Sequence, residues 1–232
     1  PSRVWGGKFL PIGPISFGED GCIHLFKKIK VEDDDDDILN LPFNLHRTKN
    51  ITAIAARGNE VITGGQNSLL RRLTLFDSQP DIIPYCLSTP ESKELKEGSK
   101  TKNKKDSSTP ISLAILQNGE VIVGLFGGSI ISLPSHREML VGEEYDGWYL
   151  MQSCQNIVFG ASRSHHHYLL QVKPTQATEG DEDYEYFSKV FDFPNNCSAV
   201  SLAINPTTLV AAYSDNNIRV YDFEGTEKVC FS

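Results

Sequence analysis

The apolar residues of this chain recur at every second position over five or six residues, stop at a polar turn, and then resume. Ile111, Leu113 and Ile115, followed by Val121 and Val123, show the pattern. Such alternation marks strands with one covered face and has the wrong angular spacing for a long helix. Five segments carry it. VWGGKFLPIGPISFGEDGCIHLFK begins at Val4, ITAIAARGNEVITGGQNSLLRRLTLFD at Ile51, ISLAILQNGEVIVGLFGGSIISL at Ile111, WYLMQSCQNIVFGASRSHHHYLLQV at Trp148 and VSLAINPTTLVAAYSDNNIRVYDF at Val200. Each reads as an alternating strand, a polar turn, a second apolar strand ending in small residues, a tight polar turn and a third alternating strand. Fourth strands are expected in IIPYCLS near Ile82 and in the terminal KVCFS, with the others less evident.

The small residues have a physical reason. Gly18, Gly64 with Gly65, Gly124, Gly160, and Ala211 with Ala212 end the second strands, where a minimal side chain permits close approach. The turns that follow, Glu19-Asp20-Gly21, Gln66-Asn67-Ser68, Gly127-Gly128 and Asp215-Asn216-Asn217, consist of residues that tolerate positive φ and read as hairpins. A WD-type propeller blade takes about 40–45 residues, so the longer intervals should hold insertions. They contain Glu32 with Asp33 to Asp37, the stretch from Glu91 to Pro110, and the stretch from Glu179 to Glu185. Tracts so charged bury too little apolar surface to offset the entropy of ordering, and are expected to be surface loops. The expected organisation is two WD-like units over residues 1–90 with the acidic insertion at 32–37, a Lys-rich flexible linker at 91–110, and three more degenerate units over 111–232 with the acidic insertion at 179–185. The fold class is all-β, a WD-repeat-like β-propeller of about five blade-like units, expected to be a fragment of a larger multi-propeller protein.

Composition narrows the function classes. The 232 residues are 39% hydrophobic and 22% charged, as in an ordinary globular chain. Lys plus Arg number 22 against 30 Asp plus Glu, a net charge of −8, which argues against a protein that coats nucleic-acid backbone. Cysteines 22, 86, 154, 197 and 230 form no CxxC pair, so buried free thiols are expected rather than a disulfide framework or zinc ribbon. No apolar run reaches the roughly 18–20 residues of a membrane span, and PSRVWGGKFLPIG lacks the layout of a signal peptide, which points to a cytoplasmic or nuclear chain, with the cytoplasm the expected location. There is no GxSxG, no HExxH, no glycine-rich phosphate loop and no cofactor fingerprint, so neither catalysis nor a cofactor is expected.

Several residues invite a chemical reading. His165, His166 and His167 form the densest imidazole cluster, but strand neighbours point to opposite faces and no acidic or Cys partner stands at ligand spacing, so a polar strand edge is expected rather than a metal site. Lys93, Lys96, Lys100, Lys102, Lys104 and Lys105 form a tract expected to be a solvated loop rather than an RNA contact. Trp5, Trp148 and Tyr149 begin first strands and are expected in blade cores. His46, just before Ile51, is expected to bond within its blade through Thr63. The turns between second and third strands should cluster on one rim, which makes Glu19, Asp20, Gln66, Asn67, Ser162, His165, Asp215 and Asn216 the candidate partner-binding residues.

The wording of the units adds a resemblance. Arg3-Val4-Trp5 through Phe17-Gly18-Glu19-Asp20, then Ile51-Thr52-Ala53-Ile54-Ala55-Ala56 with Val61-Ile62-Thr63-Gly64-Gly65, resemble consecutive repeats of the WD-repeat subunit that partners the tRNA anticodon-loop 2′-O-ribose methyltransferase. The three later units follow the same order. Phe26 and Phe76 stand where tryptophan is usual, Gln66-Asn67 replace the acidic turn, and only Phe76-Asp77 and Tyr221-Asp222 keep an aromatic followed by Asp. The resemblance implies a chain without methyltransferase chemistry that binds the catalytic subunit and directs it to the wobble nucleotide of tRNA. It implies a methyltransferase as protein partner, at most weak or indirect tRNA contact, and no membrane. The residues by themselves leave open a general WD-repeat adaptor in ubiquitin ligation, trafficking or chromatin.

Overall fold

The computed structural model describes residues 3–30, 36–46, 49–66, 68–75, 81–86, 108–133, 137–140, 148–162, 166–174, 184–192 and 197–232. Among these there is no helix. Twenty strands form five four-stranded sheets, each antiparallel and ordered as the chain runs. The first sheet holds β1 (Val4–Leu10), β2 (Gly13–Gly18), β3 (Cys22–Lys30) and β4 (Asp36–Asn44). The second holds β5 (Ile51–Arg57), β6 (Glu60–Gly65), β7 (Leu69–Thr74) and β8 (Asp81–Cys86). The third holds β9 (Pro110–Ile115), β10 (Val121–Leu125), β11 (Ser129–Leu133) and β12 (Arg137–Leu140). The fourth holds β13 (Trp148–Cys154), β14 (Ile157–Ser162), β15 (His166–Pro174) and β16 (Tyr184–Asp192), and the fifth holds β17 (Ala199–Ile204), β18 (Leu209–Tyr213), β19 (Ile218–Tyr221) and β20 (Glu227–Phe231). Two compact units divide the chain, Pro1–Pro110 and Ile111–Ser232.

Fourth strands complete every sheet, including the three that were hard to see. The reason is their position. Each lies at a sheet edge and pairs on one side only, where charged residues are tolerated because one row of backbone groups faces outward. This corrects the expectation that the acidic tracts are wholly loops. Asp36 and Asp37 belong to β4, opposite Lys30 and Ile29 of β3, and Tyr184 and Glu185 begin β16, opposite Pro174 and Lys173. The remainder of both tracts and the lysine tract lie outside the described residues, as does Phe76.

The hairpin between second and third strands has one register throughout. Phe17↔Ile23, Gly64↔Leu70, Gly124↔Ile130, Ala161↔His167 and Ala212↔Ile218 are paired, each six positions apart. Because side chains alternate, this register decides which residues share a face. In the first unit one such face, with Ile15 and Ile23, packs on Ile51, Val61 and Leu73 of the second sheet. In the second unit Ile122 and Ile130 of the third sheet pack on Trp148, Val158, Tyr168 and Leu170 of the fourth. Phe159, Ala161 and Leu169 of the fourth pack in turn on Leu202, Leu209, Ala211, Tyr213 and Tyr221 of the fifth.

First strands carry a second recurring feature. Register shifts fall between Val4 and Gly6, Ile51 and Ala53, Trp148 and Leu150, and Ala199 and Ser201. Bulges of this kind re-aim the extra side chain. Two of these residues use it to reach a backbone carbonyl. Within the first unit Thr52 Oγ1 donates to the Pro110 carbonyl at 2.6 Å, and in the second Tyr149 Oη ties the fourth sheet to the fifth by donating to the Ala199 carbonyl at 2.6 Å. The expected core roles of the aromatic residues divide accordingly. Trp148 is fully buried and stacked on Tyr168 at 4.8 Å between ring centroids. Trp5, at the bulge of β1, is exposed and does not take the core place expected of it.

The reason given for the small residues holds at Gly160. A Cβ added there would press into the Trp148 ring, with Cζ3 2.8 Å and Cδ2 2.9 Å away. Gly160→Val should therefore destabilise the second unit by about 1–3 kcal/mol through overpacking. Tyr149→Phe should cost about 0.5–1.5 kcal/mol, the net value of one hydrogen bond. Chemical denaturation monitored by Trp148 fluorescence measures both.

Candidate partner-binding rim

The turns between second and third strands share one backbone shape. Gly21, Ser68, Gly128 and Asn216 stand at matching positions with φ of 71°, 57°, 101° and 66°. The amides of Ser68, Gly128 and Asn216 donate to Gly65, Leu125 and Tyr213, closing each turn three residues back. A β-turn followed by a left-handed residue is the form that joins strands of this register. Asn and Gly tolerate that conformation best.

Two of these turns also share a side-chain design. Asp20 Oδ1 accepts the Cys22 amide at 3.0 Å, and Oδ2 lies 2.8 Å from His24 Nε2. Asp215 Oδ1 accepts the Asn217 amide at 3.0 Å, while Oδ2 accepts Asn217 Nδ2 at 2.9 Å and the Arg219 guanidinium at 2.8 Å. In both, the carboxylate caps the turn and meets a basic residue four positions on. The Arg219 guanidinium holds Asp215 well below the usual carboxylate range, with Asn217 adding to the effect. For Asp20, burial alone would raise the pKa, but His24 and the Cys22 amide outweigh it and lower the value. The signal for these partners was present in the sequence as Asp-x-x-x-His and Asp-x-x-x-Arg, at an alternation that returns the basic side chain to the face of the turn.

The other predicted residues differ. The Glu19 carboxylate accepts the Arg3 amide at 3.3 Å and remains partly exposed, and Gln66 is exposed. Asn216 is exposed at the turn apex. Ser162 is 1% exposed, and its hydroxyl accepts the His166 amide at 3.3 Å, so it is buried rather than presented at the surface. Asn67 and His165 lie outside the described residues. Beside the first turn, a pocket of about 270 Å³ is lined by Arg3, Ser16, Phe17, Asp20, His24 and Asn40 among others. Asp20, Cys22 and His24 place three potential metal donors within 4.8 Å of one another. Here they bond to each other and to Asn40, whose Oδ1 is 3.1 Å from His24 Nδ1.

No family model and no curated protein matches the sequence. Solved structures do match it. The WD40 beta propeller domain of Doa1 aligns with a TM-score of 0.62 at 14% identity, over 99% of this chain and 68% of that one. A chain of the mitotic checkpoint complex aligns with a TM-score of 0.64 at 10% identity, over 99% and 65%. The Cps50 (Swd1) beta-propeller domain of Myceliophteria thermophila aligns with a TM-score of 0.57 at 12% identity, over 100% and 87%. The chain has the WD40 β-propeller fold.

In this WD40 fold each four-stranded sheet is a blade, and two buried histidines hydrogen-bond within or between blades. His46 Nε2 lies 2.9 Å from Thr63 Oγ1, as expected, and joins the segment after β4 to β6. His167 departs from the polar edge expected of it. It is fully buried, stacked on Phe159 at 4.9 Å, with Nε2 2.5 Å from the Tyr213 hydroxyl. That hydroxyl is in turn 2.7 Å from the Tyr221 hydroxyl, and the Arg219 guanidinium sits 4.8 Å from the Tyr213 ring centroid. Alternation places His167 on the face shared with Leu169, which the fifth blade covers.

Burial pushes the His167 pKa from 6.5 down to about 3, against a smaller opposing effect from the Gly160 backbone. The folded state thus keeps His167 neutral while the unfolded chain protonates near pH 6.5. Its contribution to stability is complete above that pH and is lost as pH falls from about 6.5 towards about 3. Thermal melts across this window should show a falling midpoint in the native sequence and a shallower fall in His167→Phe. Parallel curves would remove His167 as the cause.

Proposed function

We propose that this chain is a non-catalytic scaffold that binds a tRNA ribose 2′-O-methyltransferase and helps to position tRNA for methylation of the wobble nucleotide, in the cytoplasm. The observation that supports this reading is the ordered wording of the units. Arg3-Val4-Trp5 through Asp20, followed by Ile51 to Ala56 and Val61 to Gly65, falls on successive blades of a WD40 fold. The partner surface is the set of turns at Glu19, Asp20, Gln66, Asn67, Ser162, His165, Asp215 and Asn216. Glu19, Gln66 and Asn216 make the direct contacts, while Asp20, Ser162 and Asp215 hold the turns in shape. Preformed turns of this kind lower the ordering cost of docking.

Charge sets the division of labour. A chain with net charge −8 gains little from tRNA phosphates, so the basic contacts to tRNA belong mainly to the enzyme. The acidic turns suit a basic patch on that enzyme and steer its approach. A second reading, an adaptor in another assembly, draws on the likeness to a chain of the mitotic checkpoint complex.

Two measurements separate the readings. Affinity capture of the protein from its own cells should recover a tRNA methyltransferase, and deletion should abolish 2′-O-methylation at the wobble ribose, read by mass spectrometry of purified tRNA. A different assembly in the capture, with methylation intact, supports the adaptor reading instead. Combined Glu19→Lys and Gln66→Lys should weaken capture about 10-fold or more without lowering the melting temperature.

A further inference from the structure

We propose that Asp20, Cys22 and His24, at the turn from β2 into β3, form a binding site for a zinc ion. The site follows from the alternation of β3. Ile23 and Leu25 point into the core shared with the second sheet, so Cys22 and His24 lie together on the opposite face. Asp20, two positions before Cys22, reaches the same face from the turn, with Oδ2 2.8 Å from His24 Nε2. One carboxylate oxygen, one sulfur and one imidazole nitrogen thereby lie within 4.8 Å of one another. Donors around a single tetrahedral zinc ion are roughly 3.3–3.7 Å apart, given metal–ligand distances of about 2.0–2.3 Å. A small rotation of these half-buried side chains closes the difference.

Asn40 of β4 supports the imidazole from its far side, independently of the three donors. Its Oδ1 lies 3.1 Å from His24 Nδ1 and accepts the Nδ1 proton. That bond leaves the Nε2 lone pair aimed at a carboxylate oxygen, and two acceptors so placed are completed by a cation shared between them. Metal-ligating histidines are held in this way, the other ring nitrogen donating to an oxygen that fixes tautomer and orientation. A second ring proton is the simplest such cation, but it makes no use of the thiol. Cys22 Sγ, which donates to the Asp20 carbonyl at 3.7 Å, extends the set to oxygen, nitrogen and sulfur. That mixture suits zinc and disfavours magnesium and calcium, which take oxygen ligands.

Comparison with the other turns shows what is particular to the first. In the common register Asp20, Cys22 and His24 correspond to Asp215, Asn217 and Arg219 of the fifth sheet. There the Arg219 guanidinium, 2.8 Å from the Asp215 carboxylate, balances it with a permanent charge. The sequence has Asn67, Leu69 and Arg71 at these places in the second unit, Gly127, Ser129 and Ile131 in the third, and Ser164, His166 and Tyr168 in the fourth. Only the first unit combines three metal donors, and its carboxylate has no guanidinium four positions on. Zinc takes the place of that charge and pins the turn to β3. The adjoining pocket of about 270 Å³, which Asp20 and His24 line, has room for a water as fourth ligand.

The test uses the full chain, stripped with a chelator, titrated with zinc against a chromophoric competitor, and loaded separately with cobalt(II) as a spectroscopic probe. The cobalt form should show thiolate-to-metal charge transfer and the intense visible bands of a tetrahedral site. Cys22→Ser should abolish the charge-transfer band. Cys22→Ser, His24→Gln and Asp20→Asn should each weaken binding of one equivalent of zinc at least about 10-fold, while Cys154→Ser changes neither readout. Asn40→Leu should weaken it by about 10–100-fold through lost orientation of the ring. Asn at position 20 still accepts the Cys22 amide, so that variant without zinc should melt with the native sequence, which separates loss of binding from loss of fold. Zinc should raise the melting temperature of the native sequence and leave that of Asp20→Asn unchanged. Absence of zinc binding overturns the proposal and leaves a proton as the cation between Asp20 and His24. Zinc binding that survives all three ligand substitutions, or a cobalt spectrum without the thiolate band, overturns it as well.

Discussion

The structure depends on one constraint, the unvarying register of the hairpin between second and third strands. Six positions separate Gly124 from Ile130, Ala161 from His167 and Ala212 from Ile218. A slip of one residue would send every apolar side chain of a strand to the opposite face. With the register held, neighbouring sheets within each unit present apolar faces to each other, and the core clusters form by stacking. The glycine at 160 and the buried ring at 148 are consequences, since two sheets cannot close on a bulky aromatic unless its neighbour lacks a side chain.

The same register shapes the candidate rim. Because the turns are equal in length, their left-handed residue falls at one position, and the residue before it can cap the turn. Asp20 and Asp215 do so and also hydrogen-bond His24 and Arg219, each four positions on. The outcome is a set of stiff, polar loops on apolar blades, a form suited to recognition. The buried polar residues in turn tie strands and sheets together: His46 with Thr63, and His167 with Tyr213 and Tyr221.

Much of this was legible in the sequence. Five alternating units, the turn residues and the small residues at strand ends all carried local physical signals, and His46 with Thr63 could be paired on position. Other features were not legible. Edge strands such as β4 and β16 carry charged residues among their apolar ones, as in DDILNLPFN and YEYFSKVFD, so the alternation that marks the other strands is blurred in them. His167 looked polar by composition, yet its neighbour Leu169 on the same face was the better guide. Ser162 was read as a surface hydroxyl from its turn position, but the strand end turns it inward.

What the sequence by itself determined is the strand period, the number of repeating units and the chemistry of the turns, because each arises from interactions among residues a few positions apart. Only the tertiary structure decided which of two apolar faces is covered. Phe159, Ala161 and His167 are sealed, while Val210, Ala212 and Ile218 at the same register positions are open. The sequence of a strand states that a face is apolar, but its burial depends on a neighbour folded from residues far along the chain.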